Sequence, residues 1–332
     1  MKIGFVGAGA ITEHHLGNLG EQRDVEVAAV CDIDGERAQV VAERAGASAF
    51  TRWEEMLAAG GLDALFVCTP PMHHAAPAIA ALEHGLAVYL EKPLARSLAD
   101  GEAIVAAWQA SGTVCAVGYQ WRSLDVVGQL RTLLGGTQPG LLVSRSFGPT
   151  EGARHDLEQG AAWFADPVIS GGLLFELASH DIDLQIALAG PVESVQATAA
   201  SGLLALAGRP PTRLDDAVSV LLRFAAGGLG ACHVAWSTEQ SPPLYALDVQ
   251  AADAALELVL DPVFELRGHA RGTEISLHGS EHPRLSTVTR FLDAARRGDP
   301  AAVPCAPTDA LATLRALLAC EQAIASGERV SV

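Results

Sequence analysis

Position 92 holds one of only two lysines in this 332-residue sequence, which carries 22 basic residues in all. Lys92 lies in the tripeptide Glu91-Lys92-Pro93, directly after the apolar run Leu86–Leu90. A lysine can exchange a proton in suitable surroundings, whereas an arginine stays protonated. The following proline restricts the backbone that carries the amine. This context favours a chemical role for Lys92, and a surface ion pair with Glu91 is the alternative.

A glycine-rich turn near the beginning of the sequence predicts a dinucleotide site. It follows a strand-like run, opens a helical pattern, and precedes Asp32 at the end of the next apolar run. In such sites the glycines permit a tight turn and close approach of a pyrophosphate, whose charge the helix N-terminus binds. The full context is far more specific than glycines alone, and a purely structural turn is the alternative. The predicted contacts here are Gly7, Gly9, Ala10 and Ile11.

The acidic residue after the second strand bears on the choice of cofactor. A carboxylate at Asp32 accepts hydrogen bonds from the ribose hydroxyls of NAD and repels a 2′-phosphate. Asp34 adds a second acid, and no arginine adjoins this pair in sequence. NAD is therefore favoured, while Arg37 leaves NADP open.

Polar residues also follow the fourth and fifth apolar runs. Thr69-Pro70-Pro71-Met72-His73-His74 comes after one of them, and Glu91-Lys92-Pro93 comes after the other. The carboxyl ends of parallel strands are where ligands bind in such sheets. We therefore predict that Thr69, Pro70, His74 and Glu91 belong to the cofactor site.

Glu176 and His180 occur four residues apart within Gly171–Asp183, a segment with helical spacing. Side chains at i and i+4 share one face of a helix, and Asp183 falls nearby. A carboxylate beside an imidazole orients the ring and raises its basicity, which suits a general base near neutral pH. An ordinary helix-face pair explains the spacing equally well. A metal site is a further alternative, although no third ligand has suitable spacing.

The apolar pattern predicts two domains, residues 1–121 and 122–332. Up to residue 121, apolar runs alternate with helical segments, which is typical of a doubly wound parallel Rossmann sheet. After it, strand patterns follow one another, which predicts a second α+β domain with a large, mainly antiparallel sheet. A final helix at 309–325 could pack back on the first domain.

Composition restricts the partners and the location. The net charge of −17 argues against nucleic acid, which requires a basic surface. No apolar run is long enough for a membrane span, and the N-terminus leads straight into a strand without a secretory leader. The six cysteines contain no Cys-x-x-Cys pair and are expected to be reduced thiols. We expect a cytoplasmic protein.

Several of these motifs occur together in one known family. They are Gly7-Ala8-Gly9-Ala10-Ile11, Asp32, Thr69-Pro70 with His74, Ala81-Leu82-Glu83-His84-Gly85 before Glu91-Lys92-Pro93, Gly118-Tyr119-Gln120-Trp121-Arg122, Trp163-Phe164 with Pro167, and Gly171-Gly172 through His180 and Asp183. Over nearly its full length the sequence resembles the Gfo/Idh/MocA oxidoreductases. The Glu-Lys-Pro loop combined with the helix that carries His180 is the specific part.

The resemblance implies an oxidoreductase that transfers hydride between NAD(P) and a secondary alcohol or ketone of a sugar, inositol or related polyol. It implies that Lys92 contacts the reacting hydroxyl and the nicotinamide ribose, and that His180 is the general acid and base. Glu176 stands where the family often has aspartate, which leaves it either catalytic or orienting. Gln120 is expected at the cofactor.

Substrate selection is assigned by the resemblance to polar groups of the second domain. The residues expected to take part are Arg122, Arg154, His155, Asp156, Trp163 and Asp183. The sheet of that domain is expected at a subunit interface of a dimer or tetramer. An NAD-dependent, redox-neutral glycoside hydrolase and a non-catalytic regulator of a sugar pathway remain as alternative functions.

Overall fold

A computed structural model describes residues 1–20, 22, 24–149, 163, 166–202, 215–237 and 244–332. Its chain divides into two compact units. The first contains Met1–Gln120 and His282–Leu311, and the second contains Trp121–Glu281 and Ala312–Val332. The sequence division had given all of 122–332 to the second domain. In the structure, a stretch of about 30 residues returns to the first unit.

The first unit is built on a parallel sheet. Its strands are β1 (Lys2–Val6), β2 (Glu26–Cys31), β3 (Ser48–Phe50), β4 (Ala64–Val67), β5 (Ala87–Leu90) and β6 (Cys115–Val117). The helices that alternate with them are α1 (Ala10–Gly20), α2 (Gly35–Ala45), α3 (Trp53–Ala59), α4 (Ala75–Glu83) and α5 (Leu98–Ser111). The order β3-β2-β1-β4-β5-β6 confirms the predicted doubly wound fold. Because the order reverses between β1 and β4, the loops at their carboxyl ends are where a ligand is expected.

Local signals in the sequence fix several of these boundaries. The Asp34 side chain accepts hydrogen bonds from two amides in the first turn of α2, and the Ser97 hydroxyl accepts one from the amide of Asp100 in α5. These caps satisfy amides that the helix itself leaves without partners. Gly46 and Gly112 end the same two helices in the left-handed conformation.

The second unit carries a nine-stranded sheet. Its strands are β7 (Leu141–Pro149), β8 (Val192–Ala200), β9 (Ala217–Phe224), β10 (Leu229–Ser237), β11 (Leu244–Ala251), β12 (Ala254–Asp261), β13 (Glu265–Ala270), β14 (Thr273–His278) and β15 (Val330–Ser331). They lie in the order β14-β13-β12-β11-β7-β10-β9-β8-β15. Only β7 and β10 pair in parallel among these described strands, so the sheet is mainly antiparallel, as predicted.

Helices cover one face of this sheet. The second unit contains α6 (Asp125–Leu134), α7 (Pro167–Ser170) and α8 (Ser179–Ala189). Helix α8 packs against β7 and β10, and α6 packs against β12 and β13. Buried and more exposed side chains alternate along β9, as expected for a strand with one covered face and one open face.

The returning segment contains α9 (Pro283–Arg297), and α10 (Pro307–Ser326) follows it. Phe291 of α9 is fully buried, and its ring packs edge-on against Phe66 and Tyr89 of the first sheet. This apolar face explains why α9 belongs to the first unit. Of α10, only the residues through Leu311 belong to that unit. No helix in the described part of the chain has the length and apolar character needed to cross a bilayer.

Candidate active site

The glycine turn between β1 and α1 combines a steric requirement with open space. Gly7 has φ +96°, and a Cβ there would lie 2.5 Å from the Cys68 carbonyl oxygen. Both the backbone conformation and the lack of space therefore require glycine. A Cβ added at Gly9 would meet no heavy atom within 4 Å. The turn therefore packs closely on the end of β4 while leaving room beside the N-terminus of α1.

Asp32 lies at the end of β2, and both of its carboxylate oxygens accept backbone hydrogen bonds. Oδ2 accepts from the amide of Ala8 at 2.8 Å, and Oδ1 accepts from the amide of Asp34 at 2.9 Å. Arg37, distant by five positions in sequence, brings its guanidinium to 3.9 Å from Asp32 and 3.4 Å from Asp34. The acid is thus fixed beside the glycine turn, with a partly exposed cation next to it.

We predict that the protein binds NAD at least about tenfold more tightly than NADP, because a 2′-phosphate would face the fixed Asp32 carboxylate. Fluorescence titration with both cofactors measures this preference. Asp32→Ser should reduce it, and Arg37→Ala should increase it by removing the nearby cation. A wild-type preference for NADP would contradict the prediction.

The loops after β4 and β5 are joined by a buried histidine. His74 is fully buried, with Nδ1 at 2.9 Å from the carbonyl oxygen of Pro93 and Nε2 at 2.9 Å from that of Thr69. A neutral imidazole donates from only one nitrogen at a time. Burial lowers the pKa of His74 despite these two carbonyls. His74 was predicted at the cofactor, and in the structure its ring lies between the carbonyl oxygens of Thr69 and Pro93, which connects the two loops.

These groups fit a bound dinucleotide. The buried Thr69 hydroxyl has no hydrogen-bond partner among the described residues, so it is available to a ligand. The N-terminus of α1 offers backbone amides to a pyrophosphate beside the open space at Gly9. Pro70 lies in the same loop, half-buried. Gln120, at the end of the first unit, is half-buried, and its carbonyl accepts a bond from the Thr287 hydroxyl.

In the second unit, Glu176 and His180 lie on a helix that is otherwise buried. Leu174–Ala178 is one π-helical turn that continues directly into α8. From Gly172 to Ile186, a stretch described throughout, every side chain except those of Glu176 and His180 is buried. A π-turn inside a helix often occurs at functional sites. The helix therefore presents one carboxylate and one imidazole at the edge of an apolar core.

An aromatic ring packs against His180. The indole of Trp121 lies 5.1 Å from the imidazole, centroid to centroid, at a 36° tilt. Tyr245 of β11 packs edge-on against the other side of Trp121, with centroids 5.0 Å apart. Trp121 is itself buried in the short helical turn Gln120–Ser123. Such packing restricts the positions open to the imidazole ring, which a general base requires.

Arg122 and Asp183 are placed against each other rather than at an open surface. The guanidinium donates two hydrogen bonds to the carboxylate, from Nε at 2.7 Å and from Nη2 at 2.8 Å. The Thr313 hydroxyl adds a bond of 2.9 Å to Asp183. Both charged side chains are buried. This bidentate pair anchors α8 to the turn that carries Trp121, so it holds the surroundings of His180.

The other residues expected at the substrate follow β7 in the sequence. Trp163 is half-buried, and its carbonyl accepts a bond from the amide of Asp166. Arg154, His155 and Asp156 lie outside the described residues. No group of histidine, cysteine, aspartate or glutamate residues suited to a metal ion occurs in the described ranges.

Asp181, next to His180, is a buried carboxyl that sequence reasoning missed. Its Oδ1 accepts a bond of 2.7 Å from the Ser146 hydroxyl, and its Oδ2 has no partner within the described chain. Burial raises its pKa from 3.8 to about 7, against the opposing effect of hydrogen bonds from Ser146 and Ser144. In the folded protein the carboxyl therefore stays mostly neutral below about pH 7.

We predict that Asp181→Asn stabilises the protein at pH 8. Because the folded-state pKa lies above the unfolded one, the contribution of Asp181 to stability is complete below about pH 4 and is lost as the pH rises toward 7. A shift of about three units corresponds to on the order of 4 kcal/mol. Urea unfolding at pH 5 and pH 8 should show a smaller difference for Asp181→Asn than for wild type. Asp293→Asn, at a half-exposed position, is the control and should keep the wild-type difference.

Two sequence comparisons identify the family. Residues 1–119 match the family profile described as "Oxidoreductase family, NAD-binding Rossmann fold", and residues 146–258 match the "GFO/IDH/MocA C-terminal domain". The two matches fall on the two sheets in the expected order. The chain belongs to the Gfo/Idh/MocA family. Its first unit is therefore an NAD-binding Rossmann domain, as the glycine turn and Asp32 predicted.

Individual family members match with moderate identity. The 4-carboxy-2-hydroxymuconate-6-semialdehyde dehydrogenase of Sphingobium sp. is 41% identical over 123 residues, which are 37% of this chain and 39% of that protein. The myo-inositol 2-dehydrogenase of Thermotoga maritima is 26% identical over 69% of this chain and 67% of its own length. The first alignment thus covers well under half of the relative.

A solved structure is similar over the whole chain. It is the WlbA dehydrogenase from Bordetella pertussis in complex with NADH and UDP-GlcNAcA. The two structures share a TM-score of 0.82 and 25% identity, with 100% of this chain and 98% of the other covered. The likeness to that structure therefore extends through both units of the present chain.

Proposed function

We propose that this Gfo/Idh/MocA protein is an NAD-dependent dehydrogenase that acts on a secondary alcohol of a sugar, inositol or related polyol. The observation that carries the proposal is the Glu176–His180 pair, the only side chains between Gly172 and Ile186 that are not buried. A carboxylate and an imidazole that stay accessible on an otherwise buried helix suit proton transfer to and from a hydroxyl.

The named relatives support a polyhydroxylated substrate. A myo-inositol dehydrogenase and a D-apiose dehydrogenase from Paraburkholderia graminis each align with more than two thirds of this chain. The WlbA structure contains UDP-GlcNAcA, a nucleotide-linked sugar. We therefore include free polyols, aldoses and sugar nucleotides in the proposed substrate class.

In the proposed mechanism, each catalytic side chain has one task. His180 takes the proton of the substrate hydroxyl, and Glu176 orients the imidazole. Lys92 donates a hydrogen bond to the hydroxyl oxygen and stabilises the negative charge that develops there. Bound NAD supplies the acceptor for the hydride that leaves the carbinol carbon. In the direction of ketone reduction, His180 returns the proton.

Absorbance at the NADH band tests the proposal. The purified protein is incubated with NAD and a panel of inositols, aldoses, alditols and UDP-sugars, and NADH formation is measured. We expect turnover with at least one member. Release of an aglycone from glycosides without NADH accumulation would instead indicate the hydrolase. NAD binding with neither reaction would indicate the regulator.

We also propose that the protein is a homo-oligomer, a dimer or tetramer, and that it is cytoplasmic. Leu141, Leu221 and Leu229 are exposed on neighbouring strands of the open face of the second sheet. Because charged residues of both signs lie on the same face, this face suits contact with a second copy of the chain.

The cysteines support the proposed compartment. All six are free and buried, which is typical of cytoplasmic proteins.

A further inference from the structure

A buried histidine–carboxylate pair lies next to Lys92 in the first unit. His15 of α1 and Glu91 approach to 2.7 Å, with Nε2 donating to Oε1, although they stand 76 positions apart in sequence. The His15 side chain is 1% exposed and that of Glu91 is 12% exposed. Sequence analysis had placed Glu91 at the cofactor and had not singled out His15.

The surroundings of the pair are tightly packed. The His15 ring lies edge-on against Phe66 and Tyr89, with centroids 5.4 and 5.1 Å away. On the other side, a Cβ at Gly118 would lie 3.2 Å from Oε2 of Glu91, so only a glycine leaves normal contact distance there. The carboxylate therefore has little freedom to move.

Positive groups keep the carboxylate charged. Burial raises the pKa of Glu91, but the hydrogen bond and charge of His15, then the charges of Lys92 and Arg284, outweigh it and hold the pKa below its ordinary value. His74 also lies within electrostatic range of Glu91. A buried charge that is paired in this way is costly to leave alone, so each partner depends on the other.

The pair connects two parts of the site. Oε2 of Glu91 accepts a hydrogen bond of 3.2 Å from the backbone amide of Lys92. His15 lies on α1, the helix whose N-terminus follows Gly7 and Gly9. We propose that His15 and Glu91 are a positioning pair that holds Lys92 in its working position relative to the cofactor-binding helix. The importance of that position for turnover rests on the proposed function.

A purely stabilising role explains the geometry less well. A buried ion pair is generally no more stable than well-packed apolar residues of the same volume. Moreover, Nδ1 of His15 is buried without a partner in the described part of the chain, which adds a cost to the folded state. A pair kept at such a cost immediately before Lys92 fits a requirement for orientation.

The scarcity of lysine makes a direct test practical. Reductive methylation with a ¹³C label keeps the positive charge and marks only Lys92, Lys2 and the α-amine of Met1. Carbon NMR of the labelled full-length protein then reports on Lys92 without any substrate. We expect His15→Gln and Glu91→Gln each to shift the Lys92 signal while the signal of Lys2 stays in place. The double variant should match the larger single shift, because both changes break one interaction.

Two adjacent exposed residues, Glu83 and His84, provide controls with the same substitutions. His84→Gln and Glu83→Gln make the same substitutions at the end of α4 and should leave the Lys92 signal unchanged. His15→Phe removes both nitrogens but keeps an aromatic ring against Phe66 and Tyr89, and it replaces His15→Gln if that variant unfolds. A Lys92 signal at the wild-type position in folded His15 variants would overturn the proposal, whatever their thermal stability.

Kinetics separate this proposal from the proposed function. With a substrate from the absorbance screen, the two variants should lose about 10- to 100-fold in kcat, while the KM for NAD changes little. If the Lys92 signal shifts but no compound in the screen is oxidised, the positioning pair stands and the dehydrogenase proposal fails. If oxidation is found but the variants keep wild-type kcat, the positioning role fails alone.

Discussion

Lys92→Arg is expected to lower turnover by about 100-fold while the protein remains folded and still binds NAD. A guanidinium keeps the positive charge, but it is planar and larger, and it does not release a proton under working conditions. A misplacement of about 1 Å at a reacting group is enough for a loss of this size. The measurement is kcat on a substrate found by the NADH screen, together with fluorescence titration of NAD.

The chain supplies an unusually direct control for this substitution. Lys2→Arg changes the only other lysine, which is about half exposed and pairs with Glu26, and it should leave kcat unchanged. Lys92→Ala should lose at least as much activity as Lys92→Arg. Near wild-type turnover in Lys92→Arg would show that charge alone is required, and Lys92 would then be an electrostatic contact.

The sequence predicted the doubly wound parallel sheet of the first unit because its signals are local. The apolar runs became the strands β1 to β6, and every residue of β4 is buried. Parallel strands covered on both faces leave this pattern in the sequence whatever lies elsewhere in the chain. The caps at Asp34 and Ser97 belong to the same class of short-range signals.

The second unit contains the elements that sequence analysis missed. Strand β13 has exposed polar side chains at Arg267 and His269, so its sequence contains no apolar run. Gly268, with φ +131°, lies between them and weakens the strand pattern further. α6 was passed over as well. The residue before it, Leu124, provides no side-chain cap, and the helix contains Gly128, so both of its helix signals are weak.

For the candidate site, residues close in sequence were predicted and long-range partners were not. Glu91 with Lys92, and Glu176 with His180, are visible as motifs. The side chains that position these motifs are 60 or more residues away in sequence. His15 binds Glu91, and Arg122 binds Asp183 on the helix that carries His180. Such pairs depend on how elements pack, which a single sequence does not reveal. Arg122 and Asp183 were expected at the substrate, and their mutual burial favours a supporting role.

His180→Ala is expected to reduce kcat by about 100- to 10,000-fold, the range over which a positioned general base contributes. NAD affinity should stay near the wild-type value, because His180 belongs to the second unit and the dinucleotide fold to the first. His233→Ala, at an exposed histidine of β10, is the matched control and should keep kcat. Turnover near the wild-type rate in His180→Ala would show that another group is the base.

The role of Glu176 follows from the same series of variants. If Glu176 acts by orienting the imidazole, Glu176→Gln alone should lower kcat by about 10-fold, and the loss should vanish in the His180→Ala background. An equal loss in both backgrounds would mean that Glu176 acts on the substrate independently of His180. The buried π-turn and the Trp121 ring favour the first outcome, since they already restrict the imidazole to a few orientations that one hydrogen bond can select.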